Sequence, residues 1–365
     1  MTGGAKNKNG ARPGPALVIS VMGIGNALLG LPLISALSRQ KGEKVALAAW
    51  PPVTLRLLAG HPAVGRMVPV ESNSVAGLFK AAPECRKLKA AAAYDLFPPS
   101  DRGHLLAFLS GAPLRQGFNK AGGQNWMLTG RVEVNPGLHD TEQNLRLAGL
   151  EPDPDDRARL YLTPAELKQA ALKSPGGEAV GLHIGSGGTL TGRRWPSAHF
   201  AKLMDGLHLA GHRDLVMFGG PGQEPLMEQC QSLCQSARPR MEASPDIRQA
   251  AARAGRCRLM VSNDAVWLHI AAALDVPTLG IYGPTNPQRT APPGPRHRVV
   301  RSSLACAPCY NYERWASCPH PGLKCLEGIS PEAVLAQALE MLKDKRPQEP
   351  GPEEPLLTGP LANDF

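Results

Sequence analysis

Residues 258–290 constrain the fold of this chain more than any other stretch. An apolar strand over Arg258–Ser262 runs into Asn263-Asp264, a helix opens at once and ends near Leu274, and a second apolar strand, Thr278–Tyr282, breaks at Gly283-Pro284-Thr285. Two parallel strands joined by a helix make a β-α-β unit, and its right-handed crossover leaves few topologies open. The turn after each strand lies on the carboxyl edge of the sheet, where open α/β sheets bind ligands. A helix N-terminus at that edge offers unpaired N–H groups and a partial positive charge, which suit a diphosphate. Asp264 can serve there as the helix N-cap or as a group that meets the ligand.

The alternation runs through the chain twice. In the first half, strands are expected at Ala16–Val21, Lys44–Ala49, Arg66–Val70 and Asp95–Pro98. Helices are expected over Asn26–Gln40, Val53–Ala59, Leu78–Ala93, Leu105–Leu109 and Asp140–Leu150. A charged, proline-rich linker follows at Glu151–Asp156. In the second half, strands are expected at Ala179–Ile184, Asp214–Phe218, Leu259–Ser262, Thr278–Tyr282 and Val299–Arg301, with a closing helix over Pro331–Lys343. Alternating strands and helices imply parallel sheets covered by helices on both faces. The expected domains are therefore 16–155 and 156–345, facing each other across a cleft. Residues 1–15 and the proline- and acid-rich stretch 346–365 are expected to be disordered.

Composition narrows the partners. The 365 residues carry a formal charge of +9 and no apolar run of membrane-spanning length, and the Gly/Lys/Asn/Pro-rich start does not resemble a secretory signal. A cytoplasmic protein is expected. No motif of nucleic-acid binding accompanies the charge, so the basic residues are read toward a phosphorylated substrate and an anionic membrane surface.

Each half has a glycine-bearing turn after its first strand. Gly23-Ile24-Gly25 is a partial dinucleotide fingerprint, but Leu28 stands at the third glycine position and the strand ending at Trp50 carries no acid for a ribose. That argues against a nicotinamide cofactor. The second turn, His183–Pro196, holds Ser186, Gly187, Thr189 and Thr191 ahead of Arg193-Arg194. Such a loop can wrap a diphosphate with charge-assisted hydrogen bonds, or be a solvated flexible segment. Cys306, Cys309, Cys318 and Cys325 have two, eight and six residues between them. Four thiolates at such spacing can close a tetrahedral structural zinc site. Reduced structural thiols are the competing reading, and disulfides are disfavoured without an export signal. Asp153, Asp155 and Asp156 read as solvated linker.

In order, Gly23–Leu37, Tyr94-Asp95-Leu96 with Leu109–Phe118, Arg193-Arg194-Trp195-Pro196, Phe218–Glu224, and Ser262-Asn263-Asp264 with His269–Ala273 and Gly283–Pro287 resemble glycosyltransferase family 9, the ADP-heptose:lipopolysaccharide heptosyltransferases. The resemblance implies a GT-B fold with the acceptor on the N-terminal domain and a nucleotide-diphosphate sugar, ADP-heptose above all, on the C-terminal one. It implies inverting transfer without a metal or other cofactor, to a lipid-linked saccharide at the inner face of the membrane. By position, Ser186 and Gly187 fall in the phosphate loop and Arg193, with Arg194 beside it, takes the basic diphosphate place. Glu224 falls near the ribose acid, and Asp264 and His269 match residues around the donor sugar. Gly23 and Gly25 form the acceptor-side turn. The family's catalytic aspartate position is Asn26 here, and an amide takes no proton at neutral pH. Another base is then needed, from His61, Asp95, Asp101 or His104, with Asp101 and His104 favoured. Ala265-Val266-Trp267 replaces the family's small hydroxyl residue and glycine, which predicts added bulk near the donor. A donor-binding protein without turnover and a sugar-nucleotide epimerase are the alternatives.

Overall fold

The computed structural model describes residues 14–153, 157–173, 177–187, 191–310, 318 and 323–344. The expected disordered ends, Asp155, Asp156 and Thr189 lie outside them. Twelve strands form two six-stranded sheets among these residues. The first holds β1 (Ala16–Ser20), β2 (Val45–Ala49), β3 (Val64–Pro69), β4 (Ala92–Asp95), β5 (Leu114–Phe118) and β6 (Gly130–Val132). The second holds β7 (Val180–His183), β8 (Leu215–Phe218), β9 (Arg240–Glu242), β10 (Leu259–Asn263), β11 (Thr278–Tyr282) and β12 (His297–Arg301). All paired strands are parallel.

The orders are β3-β2-β1-β4-β5-β6 and β12-β11-β10-β7-β8-β9, the same doubly wound arrangement twice. In each sheet the order reverses beside the first strand, between β1 and β4 and between β7 and β10. Crevices open at such points. Strands β1, β2, β10 and β11 are buried along their whole length. Their continuous apolar runs, without alternation, follow from cover on both faces.

Several sequence expectations shift. The helix expected over Asn26–Gln40 is two, Ile24–Leu29 and Leu31–Lys41. Pro32 lacks the N–H that would bond the Leu28 carbonyl, so the ladder breaks there. The strand expected at Asp95–Pro98 lies three residues earlier, as β4. The alanine run 90–93 reads as helix by propensity, but Lys89 adopts φ 50 and ends the preceding helix, Val75–Lys87, with its last turn. Pro98 and Pro99 cannot donate to a ladder. Strands β5, β6 and β9 carry too few apolar residues to show in a hydrophobic pattern.

Across the seam, the helix Ile24–Leu29 that follows β1 packs on Val266–Ala273, the helix that follows β10. One apolar cluster takes Ala27 and Leu28 from the first domain and Ile270 and Ala271 from the second. Arg248 adds polar stitching, donating to the carbonyls of Leu57 and Ala59 at 3.0 and 2.8 Å while its guanidinium pairs with Glu166 at 2.6 Å.

Candidate active site

The packing of those two helices brings the carboxyl edges of both sheets together. Gly23 caps the first helix at φ 112, a conformation that favours glycine. A Cβ on Gly25 would stand 3.6 Å from the His269 ring, so this turn rests directly on the second domain. Asn26, half-buried, is the third residue of its helix. Its Nδ2 donates to the Met22 carbonyl at 2.9 Å, which leaves Oδ1 as a hydrogen-bond acceptor.

On the facing edge, Asp264 follows β10 and is 4% exposed. The helix after it begins at Val266 with Ala265 as cap and no side-chain capping bond. The N-cap reading of Asp264 is therefore corrected: its carboxylate points elsewhere. Oδ2 lies 3.5 Å from Arg193 Nη1, and Oδ1 accepts from Thr290 Oγ1 at 3.4 Å. A carboxylate this deeply set is tolerated because a guanidinium faces it. Arg193 also stacks on the Tyr310 ring, 4.7 Å from its centroid. Arg194 Nε donates to Ser186 Oγ at 3.1 Å, closing the base of the turn after β7, with Gly187 exposed at its rim. Glu224 is the first residue of the helix Glu224–Ser232. It stands beside Gln223, whose Oε1 accepts from Gly220 N at 3.1 Å. Burial holds His269 down at about 4 despite the Asp264 charge, so the imidazole is neutral at neutral pH.

Asn263 joins these pieces. Its Nδ2 donates to the carbonyls of Ile184 and Gly185, both at 3.0 Å, while its Oδ1 accepts from Trp195 N at 2.9 Å. The Trp195 indole is 1% exposed and donates to the Ile329 carbonyl at 2.9 Å. Sequence reasoning quoted Asn263 and Trp195 without giving them roles, and missed Tyr310. An amide closing an apolar strand, directly before Asp264, was the available signal for Asn263.

The candidate bases separate by access. His104 and Asp95 are fully buried against each other at 3.5 Å. Burial, with the Asp101 charge, keeps Asp95 well above the usual carboxylate range, and burial lowers His104. The expectation that His104 takes the proton is thereby corrected, since its ring lies in the core of the first domain. His61 is buried edge-on against the Tyr161 ring. Asp101, first residue of the helix Asp101–Leu109, keeps solvent access. Burial pushes its carboxyl up, but hydrogen bonds from Lys120 and the Gln124 N–H outweigh that and leave it lowered. Trp267 also differs from expectation: it packs inward on Phe218 with ring centroids 5.1 Å apart, not toward the donor.

The cysteine loop docks on the same edge. Cys309 N and Tyr310 N both donate to the Pro284 carbonyl, at 2.9 and 2.8 Å. Burial raises the thiols of Cys309 and Cys325, and neighbouring sulfurs raise them further, those of Cys306 and Cys318 among them. Among the described residues no group of three or more His, Cys, Asp or Glu is arranged to hold a metal ion. The four sulfurs lie close enough to one another for their charges to couple.

Residues 102–319 match the model of glycosyltransferase family 9 (heptosyltransferase). The chain belongs to this family. Over 157 residues this family 9 chain is 27% identical to lipooligosaccharide heptosyltransferase 2 of Campylobacter jejuni, covering 42% of this chain and 47% of that relative. Over 158 residues it is 28% identical to lipopolysaccharide heptosyltransferase 2 of Escherichia coli, covering 41% and 43%. The matched stretch thus spans less than half the length of these curated relatives. Its fold is GT-B, as in the ADP-heptose lipopolysaccharide heptosyltransferase II of Escherichia coli (TM-score 0.72, 23% identity, 90% of this chain and 98% of that one). The family 9 glycosyltransferase of Veillonella parvula is similar too (TM-score 0.77, 21% identity, 91% and 98%). No helix among the described residues is long and apolar enough to cross a membrane.

Proposed function

We propose that this family 9 chain transfers a heptose from ADP-heptose to a lipopolysaccharide-core-type acceptor, with inversion and without a metal. The observation that carries this reading is the Arg193–Asp264 pair on the carboxyl edge of the second sheet, facing the Gly23–Asn26 turn of the first. Arg193 and Arg194 neutralise the diphosphate as it leaves, the largest need of such a transfer. Ser186 and Gly187 line the phosphates, Glu224 meets the ribose, and Asp264 and His269 orient the sugar. On the acceptor side Asn26 Oδ1 accepts from the attacking hydroxyl and positions it. Asp101, the solvent-reachable carboxylate among the candidates, takes the proton. The enzyme works in the cytoplasm at the membrane's inner face.

Turnover of ADP-heptose tests this directly, with nucleotide release followed in the presence and absence of a core saccharide. Acceptor-dependent release is expected. Asn26 favours one second reading, a donor-binding protein without turnover, and tight donor binding with no release under any condition would establish it. Turnover of the nucleotide sugar without any acceptor would point to an epimerase instead.

A further inference from the structure

The helix Val75–Lys87 covers the first sheet with Leu78, Ala81, Ala82 and Cys85, all buried. The opposite face of such a helix is ordinarily polar. Here Val75 and Phe79, one turn apart on that face, are 57% and 53% exposed, and Pro83 continues the stripe. The helix Asp101–Leu109 packs alongside. Arg86 links the two, its Nε donating to the Leu109 carbonyl at 2.7 Å. Next to that link stand Phe108 and Trp126, 41% and 62% exposed, with ring centroids 5.2 Å apart. Singly exposed apolar residues need no explanation, but several large ones on the outer face of two packed helices mark a contact surface.

Charge identifies what covers it. Lys80, Arg86 and Lys87 flank the stripe, Arg102 lies on the second helix, and the Arg115 guanidinium sits 5.7 Å above the Phe108 ring. Glu84, the acid on this face, is held by Lys87 at 2.6 Å and Arg66 at 3.7 Å. Aromatic rings among lysine and arginine suit the headgroup layer of an anionic bilayer, where the rings sit at the polar–apolar boundary and the cations meet lipid phosphates.

We propose that the outer face of the helices Val75–Lys87 and Asp101–Leu109, with Phe79, Phe108 and Trp126 as anchors, docks this protein on an anionic lipid bilayer. Both helices begin at the carboxyl edge of the first sheet, Asp101–Leu109 directly after β4, the strand paired with β1. Docking along both helices lays this flank of the first domain on the bilayer, where a saccharide whose lipid stays in the membrane is also held. This consequence rests on the function proposed above; the surface itself does not.

The test is sedimentation of the full chain with vesicles of phosphatidylethanolamine and phosphatidylglycerol, against vesicles of phosphatidylcholine alone. Partition should favour the anionic vesicles. It should fall about tenfold in Phe79→Ser/Trp126→Ser and likewise in Lys80→Glu/Arg102→Glu. Brominated lipid should quench emission from the wild-type protein, and Trp126→Phe should remove that quenching. Equal binding to both vesicle types, or unchanged partition in both double variants, overturns the proposal. So does a lipid-free dimer abolished by Phe79→Ser/Trp126→Ser, which would give the face to a second copy. Transfer to a delipidated saccharide reports separately. If it persists while vesicles are ignored, the docking surface fails and the function stands; vesicle binding without any transfer means the reverse.

Discussion

Replacing Asn26 by aspartate tests the catalytic reading most sharply. In the wild type the amide anchors itself to Met22 O through Nδ2, which leaves Oδ1 as an acceptor. The substitution loses that bond, worth about 1 kcal/mol. It places a carboxylate in the first turn of the helix Ile24–Leu29, which regains about 0.3–1 kcal/mol from the helix dipole. Folding stability should therefore move by less than about 1 kcal/mol. Turnover should move much more. A positioned general base contributes roughly 10²–10⁴-fold, whereas Asp101 is a weak base because Lys120 and Gln124 hold its carboxyl low. Asn26→Asp should thus raise kcat about tenfold to a hundredfold, a barrier lower by about 1.4–2.7 kcal/mol. Asp101→Asn should cost the wild type about tenfold but the Asn26→Asp background less than about twofold, since the new base replaces the old. Acceptor-dependent ADP release across pH measures both, and the substituted enzyme should gain an acid limb in the carboxylate range. Equal or lower turnover in Asn26→Asp, with donor affinity intact, would refute the placement of Asn26 at the acceptor hydroxyl.

Three other outcomes follow from the geometry. Arg193→Ala removes the group facing Asp264 and the expected diphosphate contact. Donor affinity by calorimetry should weaken about tenfold to a hundredfold, and an unchanged affinity would remove Arg193 from the donor site. Trp195→Ala leaves a cavity and takes the donor from Ile329 O. It should cost about 3–5 kcal/mol in urea unfolding, and a loss below about 1 kcal/mol would contradict the packing described. Burial holds His61, His183, His269 and His297 at about 4, below their usual 6.5. The unfolded chain therefore binds protons that the folded one does not between those values. Stability is full above 6.5 and falls on acidification by up to about 1.4 kcal/mol per histidine per pH unit. A melting temperature flat from 6.5 to 4.5 would show those rings to be protonated in the fold.

The elements that sequence made legible are those whose chemistry is local. Strands β10 and β11 were readable because their apolar runs end at Asp264 and Gly283, and the helix Pro331–Lys343 because Ser330 caps its start. Short strands such as Gly130–Val132 owe their conformation to a neighbour's free edge, which no local pattern announces. At the site, Arg193 and Asp264 could be named from their turns, but their pairing is a matter of tertiary distance. His104 shows the opposite case. A polar residue near a ligand edge reads as functional until β5 and Leu128 close over it; Gly117, which a Cβ would bring 3.4 Å from its ring, leaves just enough room.

The Asn263 knot has a mechanical consequence. One amide ties the β7 turn, the Trp195 backbone and the end of β10, so three segments distant in sequence respond to force and heat as a single plate. Their amides should exchange with deuterium together, late and at one rate, while the rim at Gly187 exchanges early. On the proposed function, fitting a different sugar-nucleotide then becomes a task for residues mounted on the plate, such as Arg193 and Asp264.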